Sequence, residues 1–294
     1  MGKKKGLAVL GVVFVNVMWG LSFIGSKAAL GAGLQPFSLV MVRFLSAALV
    51  LFPLAGVMKT PLRLRWRDVP GVFLSSLMGV TVYFYFELHG LEHLSAATAA
   101  LIVALIPLFT LITETILFKK RPRPLVWVGA ATALAGVWLV VQGSTEGDSL
   151  TGLFLMLGAC LCWVAYNLLT DRLVTRLPIL TVTCYQSLFS VLTLIPLTLT
   201  ETVDWAAIPP SAWLWAAGFL GLICSALCYI LYNHSIARLS AETTALFLNL
   251  NPIAAALGSV IILKEPMTEW QILGSVIVLL SLLLITRGGE KGKR

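Results

Sequence analysis

The chain has 294 residues, 59% of them hydrophobic and only 12% charged, with a mean hydropathy of +0.94 and a net charge of +8. A soluble domain of this length needs far more charge to cover its surface, so lipid is the main solvent here. Its unbroken apolar runs of roughly 18 to 24 residues have helical length and lack the alternation of barrel strands, which excludes a membrane barrel.

The expectation is an all-α membrane protein of about ten transmembrane helices, near 7–26, 36–57, 69–90, 95–118, 125–142, 150–170, 179–199, 211–236, 241–263 and 269–286. The connections are short and carry Pro, Gly or charge, and none is large enough to be a soluble domain. The first run follows "MGKKKG" and looks like a signal peptide, yet it lacks a small-residue cleavage site. Its removal would also leave one half of the chain a span short, so it is read as retained. Along it, Asn16, Trp19, Phe23 and Lys27 recur on one helical stripe.

Arg43 lies about seven residues into the second span, roughly 10 Å below the boundary. Glu87, near the end of the third span, has comparable depth. Unpaired charge in hydrocarbon is costly, which leaves three readings of these two residues. They form a static pair, or they pair functionally, or Arg43 holds a substrate carboxylate while Glu87 or His89 takes part in gating. Tyr83, Tyr85 and Phe86 precede them on the third span.

Pro107 on the fourth span and Pro252 on the ninth each free the carbonyl four residues earlier, at Val103 and Leu248. In lipid those carbonyls need partners, so the breaks are expected to face protein or a water-filled cavity. Asn249 and Asn251 stand beside the second break. Glu114, about a turn from the end of the fourth span, pairs with Lys119 or Arg121 or carries protons. The sixth span repeats the polar-aromatic stripe as Cys160, Trp163, Asn167 and Asp171. Lys27 and Asp171 are then either reciprocal gate charges or snorkelling helix-end residues. The eighth span adds Tyr229, Tyr232 and Asn233. All five cysteines, Cys160, Cys162, Cys184, Cys224 and Cys228, fall within spans, so neither a disulfide framework nor a metal is expected.

"HGLEHLSAATAALIVALIPLF" from His89 and "HSIARLSAETTALFLNLNPIA" from His234 align without a gap, pairing Pro107 with Pro252 and Gly129 with Gly274. With a small gap upstream, Trp19 pairs with Trp163. Five spans are thus followed by five related ones, giving repeats over 1–145 and 146–294. Five is odd, so the second repeat is expected to insert upside down. The basic residues agree: Lys3–Lys5, "LRLRWR", "KKRPR", Arg172, Arg176, Arg238 and the C-terminal tail fall on one side. Only Lys27 and Lys264 fall on the other. Both termini are therefore expected in the cytoplasm. The net charge reads as topology and affinity for anionic lipid, not as a nucleic-acid footprint.

The segments "MWGLSFIGSKAAL", "VMVRFLSAALV", "LSAATAALIVALIPLFTLI" and "LSAETTALFLNLNPIAAALGSVIILKEPMTEWQILGSVIVL" resemble the drug/metabolite transporter superfamily, in its EamA-domain group of ten-span exporters. The resemblance covers essentially the whole chain, with Glu265, Pro266 and Gly274 as its most specific match. The first half departs from the pattern at "FKKRPRP". The resemblance implies export of small metabolites, often amino acids, through a cavity between the halves of a bacterial inner-membrane protein. It implies no ATP module, and the sequence has no Gly-Lys-Ser/Thr phosphate loop. No cofactor is expected; the partners are a small-molecule substrate and the bilayer, and the oligomeric state is left open, with a monomer compatible.

The substrate-binding candidates are Asn16, Trp19, Phe23, Arg43, Tyr83, Trp163, Asn167, Tyr229 and Asn249. Glu87, His89 and Glu114 are candidates for gating or coupling. The rival reading is a membrane-embedded enzyme acting on lipid or amphiphilic substrates. It needs converging acids and bases, and His89, Glu92 and His93 are the nearest approach to that.

Overall fold

The computed structural model describes residues 3–118, 124–142, 149–239, 241–264 and 267–290, apart from some side chains within the helices. Among the described residues every regular element is helical. Helix α1 runs Lys3–Gly31, α2 Pro36–Val57 and α3 Val69–Leu91. Helix α4 comes in two pieces, Ala96–Val103 and Ile106–Phe118, followed by α5, Pro124–Gln142. Then come α6, Leu150–Val174, α7, Ile179–Thr198, and α8, Pro210–Leu239. Helix α9 is assembled from Ala241–Leu246, Phe247–Leu250, Asn251–Gly258 and Ser259–Leu263, and α10 is Glu269–Glu290. Helices α1, α2, α3, α6, α7 and α8 are long and apolar enough to cross a membrane. Among the described residues, shorter apolar lengths lie in α4, α9 and α10, over Thr98–Thr110, Asn251–Ile262 and Ile272–Ser281.

The interruptions follow the sequence repeat. Helix α4 breaks at Ala104–Leu105, before Pro107, and α9 tightens into a 3₁₀ turn at Phe247–Leu250, before Pro252. Both lie where a ring without an N–H removes an i→i−4 bond. Within α3 the backbone widens to π-helical geometry over Leu77–Val82, and within α8 over Leu214–Leu227. Val82 and Leu227 stand at equivalent places, seven residues before the repeated histidines His89 and His234.

Helix contacts repeat in the same way. Helix α1 packs on α8 and α9, as α6 packs on α3 and α4; α2 packs on α8, as α7 packs on α3. The pairs α2–α7, α4–α9 and α5–α10 each join a helix to its own counterpart. Exchanging the halves leaves the pattern unchanged, which is the signature of a pseudo-two-fold arrangement. Close approach is set by small residues. Gly20 of α1 leaves no room for a Cβ, which would sit 2.6 Å from both the Asn251 carbonyl oxygen and the Ala254 Cβ of α9.

Helix ends are capped both locally and across the halves: Ser95 and Ser149 accept the Thr98 and Gly152 N–H groups at the starts of α4 and α6, whereas α2 is capped from the other half. Pro36 opens α2, and Gln35 before it makes no side-chain cap. Glu201, in the α7–α8 connection, supplies the cap instead. Its Oε1 accepts the Phe37 N–H at 2.7 Å, and its Oε2 accepts the Ser38 N–H at 2.7 Å and the Ser38 hydroxyl at 2.6 Å. A carboxylate at a helix N-terminus meets both the orphan donors and the positive end of the dipole.

Removing this cap is predicted to loosen the junction of the halves. Glu201→Ala is expected to cost about 1–2 kcal/mol and lower the thermal midpoint of the purified protein by about 2–6 °C. Ser38→Ala keeps both backbone bonds and is expected to cost less. Equal midpoints for Glu201→Ala and wild type in a thermal melt contradict the assignment.

Candidate functional site

A cavity of about 380 Å³ lies between the halves, walled by α1, α2, α3, α4, α6, α8 and α9. Much of that volume lies within one water radius of the lining side chains, and part of it is continuous with the outside.

The walls are mainly aromatic. Trp19 and Trp163, the equivalent tryptophans, meet edge to face with centroids 5.2 Å apart. Tyr83 lies 4.9 Å from Trp163, and Tyr229 lies 5.6 Å from Trp19. Such pairs hold a rigid apolar wall at low conformational cost. The Trp19 indole donates to the Cys224 carbonyl at 3.0 Å. That of Trp163 donates to the Tyr232 hydroxyl at 3.3 Å, and Tyr232 in turn donates to Asn167 Oδ1 at 3.1 Å. Phe23, Ser22 and Phe84 complete this side. Val103 and Leu248, whose carbonyls the two prolines free, also line the cavity, together with Ile106 and Asn251.

Two opposite charges face this space. Arg43 is 2% exposed and Glu87 4% exposed, and both are on the cavity wall. Among the described residues no salt bridge of 4 Å or less joins them, although they act on one another through the cavity, and Glu87 accepts a hydrogen bond from Tyr83. Arg43 Nε donates to the Ser225 hydroxyl at 3.3 Å, and its guanidinium carbon lies 4.3 Å from the centre of the Phe84 ring. Its Nη1 is buried without a hydrogen-bond partner. The serine bond and the ring together offset about 1–3 kcal/mol, no more than the roughly 3 kcal/mol that a charged arginine costs at bilayer depth. Asn251 Oδ1 is a second unpartnered polar atom on the wall.

The structure therefore brings Trp19, Phe23, Arg43, Tyr83, Glu87, Trp163 and Tyr229 to one cavity. Asn16 and Asn167 are fully buried but stand off its wall. Asn16 donates to the Val12 carbonyl in its own helix, and Asn167 supports the wall through Tyr232. His89 does not reach the cavity. It lies at the end of α3 beside Phe37 and Tyr85, and contacts Glu92 at 3.3 Å. The side chains of Glu114 and Asn249 lie outside the described residues. Pro252 is buried in the break of α9, and Pro107 in that of α4.

The sequence reading missed a polar cluster some 18 Å along α3 from Glu87, taking 1.5 Å per residue between Ser75 and Glu87. There the Gln186 amide donates to Ser75 at 3.0 Å and to Thr170 at 3.2 Å, and its Oε1 accepts from Asn233 at 3.1 Å. Asn233 also donates to Thr183 and accepts the Tyr166 hydroxyl at 2.7 Å. The Tyr166 ring occupies the space where Gly79 would carry a side chain, and the Gly79 carbonyl accepts from Tyr229 at 3.3 Å. The signal was available in the repeat. Gln186 is the eighth residue of α7 and Arg43 the eighth of α2, while Tyr232 stands two residues before His234 as Glu87 does before His89. The charged pair of one half corresponds to neutral hydrogen-bonding groups in the other.

An all-helical, multi-spanning chain with two matched halves and a charged cavity between them is a multi-pass membrane protein. The chain belongs to the EamA-like transporter family, which it matches twice, over residues 6–142 and 150–287. It is 27% identical over 285 residues to a "Probable terminal-alkyne amino-acid exporter" of Streptantibioticus cattleyicolor, covering 97% of this chain and 95% of that protein. It is 30% identical over 280 residues to an "Uncharacterized transporter YyaM" of Bacillus subtilis, covering 91% and 90% of the two chains. A solved crystal structure at 20% identity shares the fold with a TM-score of 0.72, over 98% of this chain and 99% of its own. These relatives are transporters rather than enzymes, and the chain is read with them.

Gln186 ties α3, α6, α7 and α8 together in a layer without water access. Gln186→Leu is expected to strand Asn233 and Ser75 and to cost about 1–2 kcal/mol, seen as a lower thermal midpoint. Gln186→Glu, which keeps the size and one acceptor, tests the amide donor separately. An unchanged midpoint for Gln186→Leu contradicts a structural role for the cluster.

Proposed function

We propose that the protein is a secondary exporter of amino acids or related zwitterionic metabolites, working by alternating access through the central cavity. In this reading it crosses the bacterial inner membrane ten times with both termini in the cytoplasm. Residues 1–145 and 146–294 form five-helix repeats of opposite orientation, related by an axis in the membrane plane.

One observation carries the substrate class. A buried arginine with an unpartnered Nη1 shares a tight aromatic cavity with a buried carboxylate that it does not pair. A zwitterion placed between them meets Arg43 with its carboxylate and Glu87 with its ammonium, while Trp19, Trp163 and Tyr229 enclose the side chain. The ligand then gives Arg43 Nη1 the hydrogen-bond partner it lacks and Glu87 a charged contact beside its bond from Tyr83. The printed name of the Streptantibioticus relative supports the same class. Two further features support alternating access. The cavity is narrow and lies between the halves, and the Gln186–Asn233–Tyr166 cluster is packed shut some 18 Å from Glu87 along α3. Opening the other face requires that cluster to part.

The test is counterflow in proteoliposomes preloaded with unlabelled amino acids, following entry of labelled solute with and without a pH gradient. Saturable exchange is expected. Arg43→Ala is expected to raise the half-saturation concentration at least about tenfold, the equivalent of one charge-assisted hydrogen bond. Trp163→Ala is expected to weaken it too. Exchange of other metabolites but of no amino acid overturns the substrate class and keeps the carrier.

A further inference from the structure

A second void lies outside the central cavity, between α1, α2, α7 and α8. It is a groove of about 1020 Å³ counted to its open mouth. Ala8 and Leu180 form its buried floor, Leu54 and Ile230 its walls, and Leu7 and Met58, both well exposed, its rim. Its polar lining is confined to His234 and Ser235, and the Ser235 hydroxyl is already engaged by the Ala8 and Leu231 carbonyls.

The repeat shows why the groove is open. Phe37 and Leu180 are each the second residue of their helices, α2 and α7. Tyr85 and Ile230 each stand four residues before the repeated histidines His89 and His234. In the first half these positions close the gap: Phe37 stacks on Tyr85 with centroids 6.0 Å apart, and Tyr85 packs at 4.8 Å against His89. The second half keeps the histidine but has Leu180 and Ile230 in place of the two rings. The groove lies at the equivalent place, and the two rings would occupy part of it.

We propose that this groove binds an acyl chain of an anionic phospholipid, drawn from the leaflet that faces the N-terminal end of α1. The walls are apolar and the mouth opens to the bilayer, where a methylene chain finds the contacts that the missing rings withhold. The charge at the mouth selects the headgroup. Lys59 follows the rim residue Met58 directly and is exposed. It closes α2 with φ 50°, a left-handed position that helices normally give to glycine. The Lys59 N–H bonds Gly56 and the Thr60 N–H bonds Ala55, so the motif holds this cation at the rim. On the opposite rim, Leu7 follows the Lys3–Lys5 run of the sequence. A lysine held beside a groove between membrane helices suits a phosphate-bearing headgroup. The proposal rests on membrane embedding alone and stands apart from the substrate assignment.

The test is native mass spectrometry of the full chain, extracted in mild detergent and incubated with equal amounts of phosphatidylglycerol and phosphatidylethanolamine. Wild type is expected to retain one phospholipid, with phosphatidylglycerol preferred several-fold. The double variant Leu180→Phe/Ile230→Tyr installs the rings that the first half already packs, and it is expected to lose that lipid about tenfold. Lys59→Glu changes an exposed side chain and should keep the lipid while losing the preference. The proposal is overturned if wild type retains the two lipids equally, if Lys59→Glu keeps the preference, or if the double variant folds and still holds the lipid. It is equally overturned by a lipid-free dimer that the double variant breaks, which makes the groove an interface between copies. Transport is not read, so failure here leaves the exporter assignment untouched.

Discussion

Everything in this molecule answers to one constraint: hydrocarbon offers no hydrogen bonds, so each backbone N–H and C=O within the bilayer must find a partner in the protein. A regular helix meets that demand alone. Two helices here do not, because Pro107 and Pro252 each remove a donor and free a carbonyl. The bundle places both breaks in its centre, α4 against α9, where Val103 and Leu248 border the cavity and not lipid. The same constraint explains why Glu201 reaches across from the second half to cap α2. It also explains why the inner amides, Gln186 and Asn233, bond to neighbouring helices.

The two halves share a fold but not a chemistry. At equivalent places one presents Arg43 and Glu87 and the other Gln186 and Tyr232. Both neutral groups find partners on neighbouring helices, Gln186 in Ser75, Thr170 and Asn233 and Tyr232 in Trp163 and Asn167, and are packed shut. The charged set leaves Nη1 of Arg43 without a partner beside open volume. In the proposed carrier this difference separates the two roles. A seal must be complete without a ligand, whereas a site must be incomplete until one arrives. A buried charge held this way is unfavourable in the empty protein, so binding recovers what folding leaves unpaired.

Much of this was legible in the sequence, because long apolar runs, in-register repeats and mid-span prolines each have one physical meaning in lipid. The break in α4 and the tightened turn in α9 fall where the prolines place them. Trp19, Trp163, Arg43 and Glu87 stood out as polar or aromatic groups at depth. What escaped was whatever depends on the rotation of one helix against another. His89 looked like a gating group from its position beside Glu87, yet it leaves the bundle on a different face of α3. Gln186 was passed over because an amide at mid-span carries no charge to mark it, although its equivalence to Arg43 was written in the repeat. The π-helical stretches left no recognisable trace, since a wider turn is chosen by packing and not by residue type.

Those stretches, Leu77–Val82 and Leu214–Leu227, bear on how such a chain can change over generations. Each fits more residues into a turn than the helix around it. Deleting a single residue there would let the backbone return to α-geometry without shortening the rest of the span. The residues beyond would then keep their faces, because the wider turn had already absorbed the extra residue. A deletion in regular α-helix instead rotates everything beyond it by about 100°. Ahead of Tyr229, Tyr232 and Asn233 in α8, or of Tyr83 and Glu87 in α3, that would carry those side chains off the cavity and out of the polar cluster together. The widened stretches are therefore the places where these two helices can change length without losing the site.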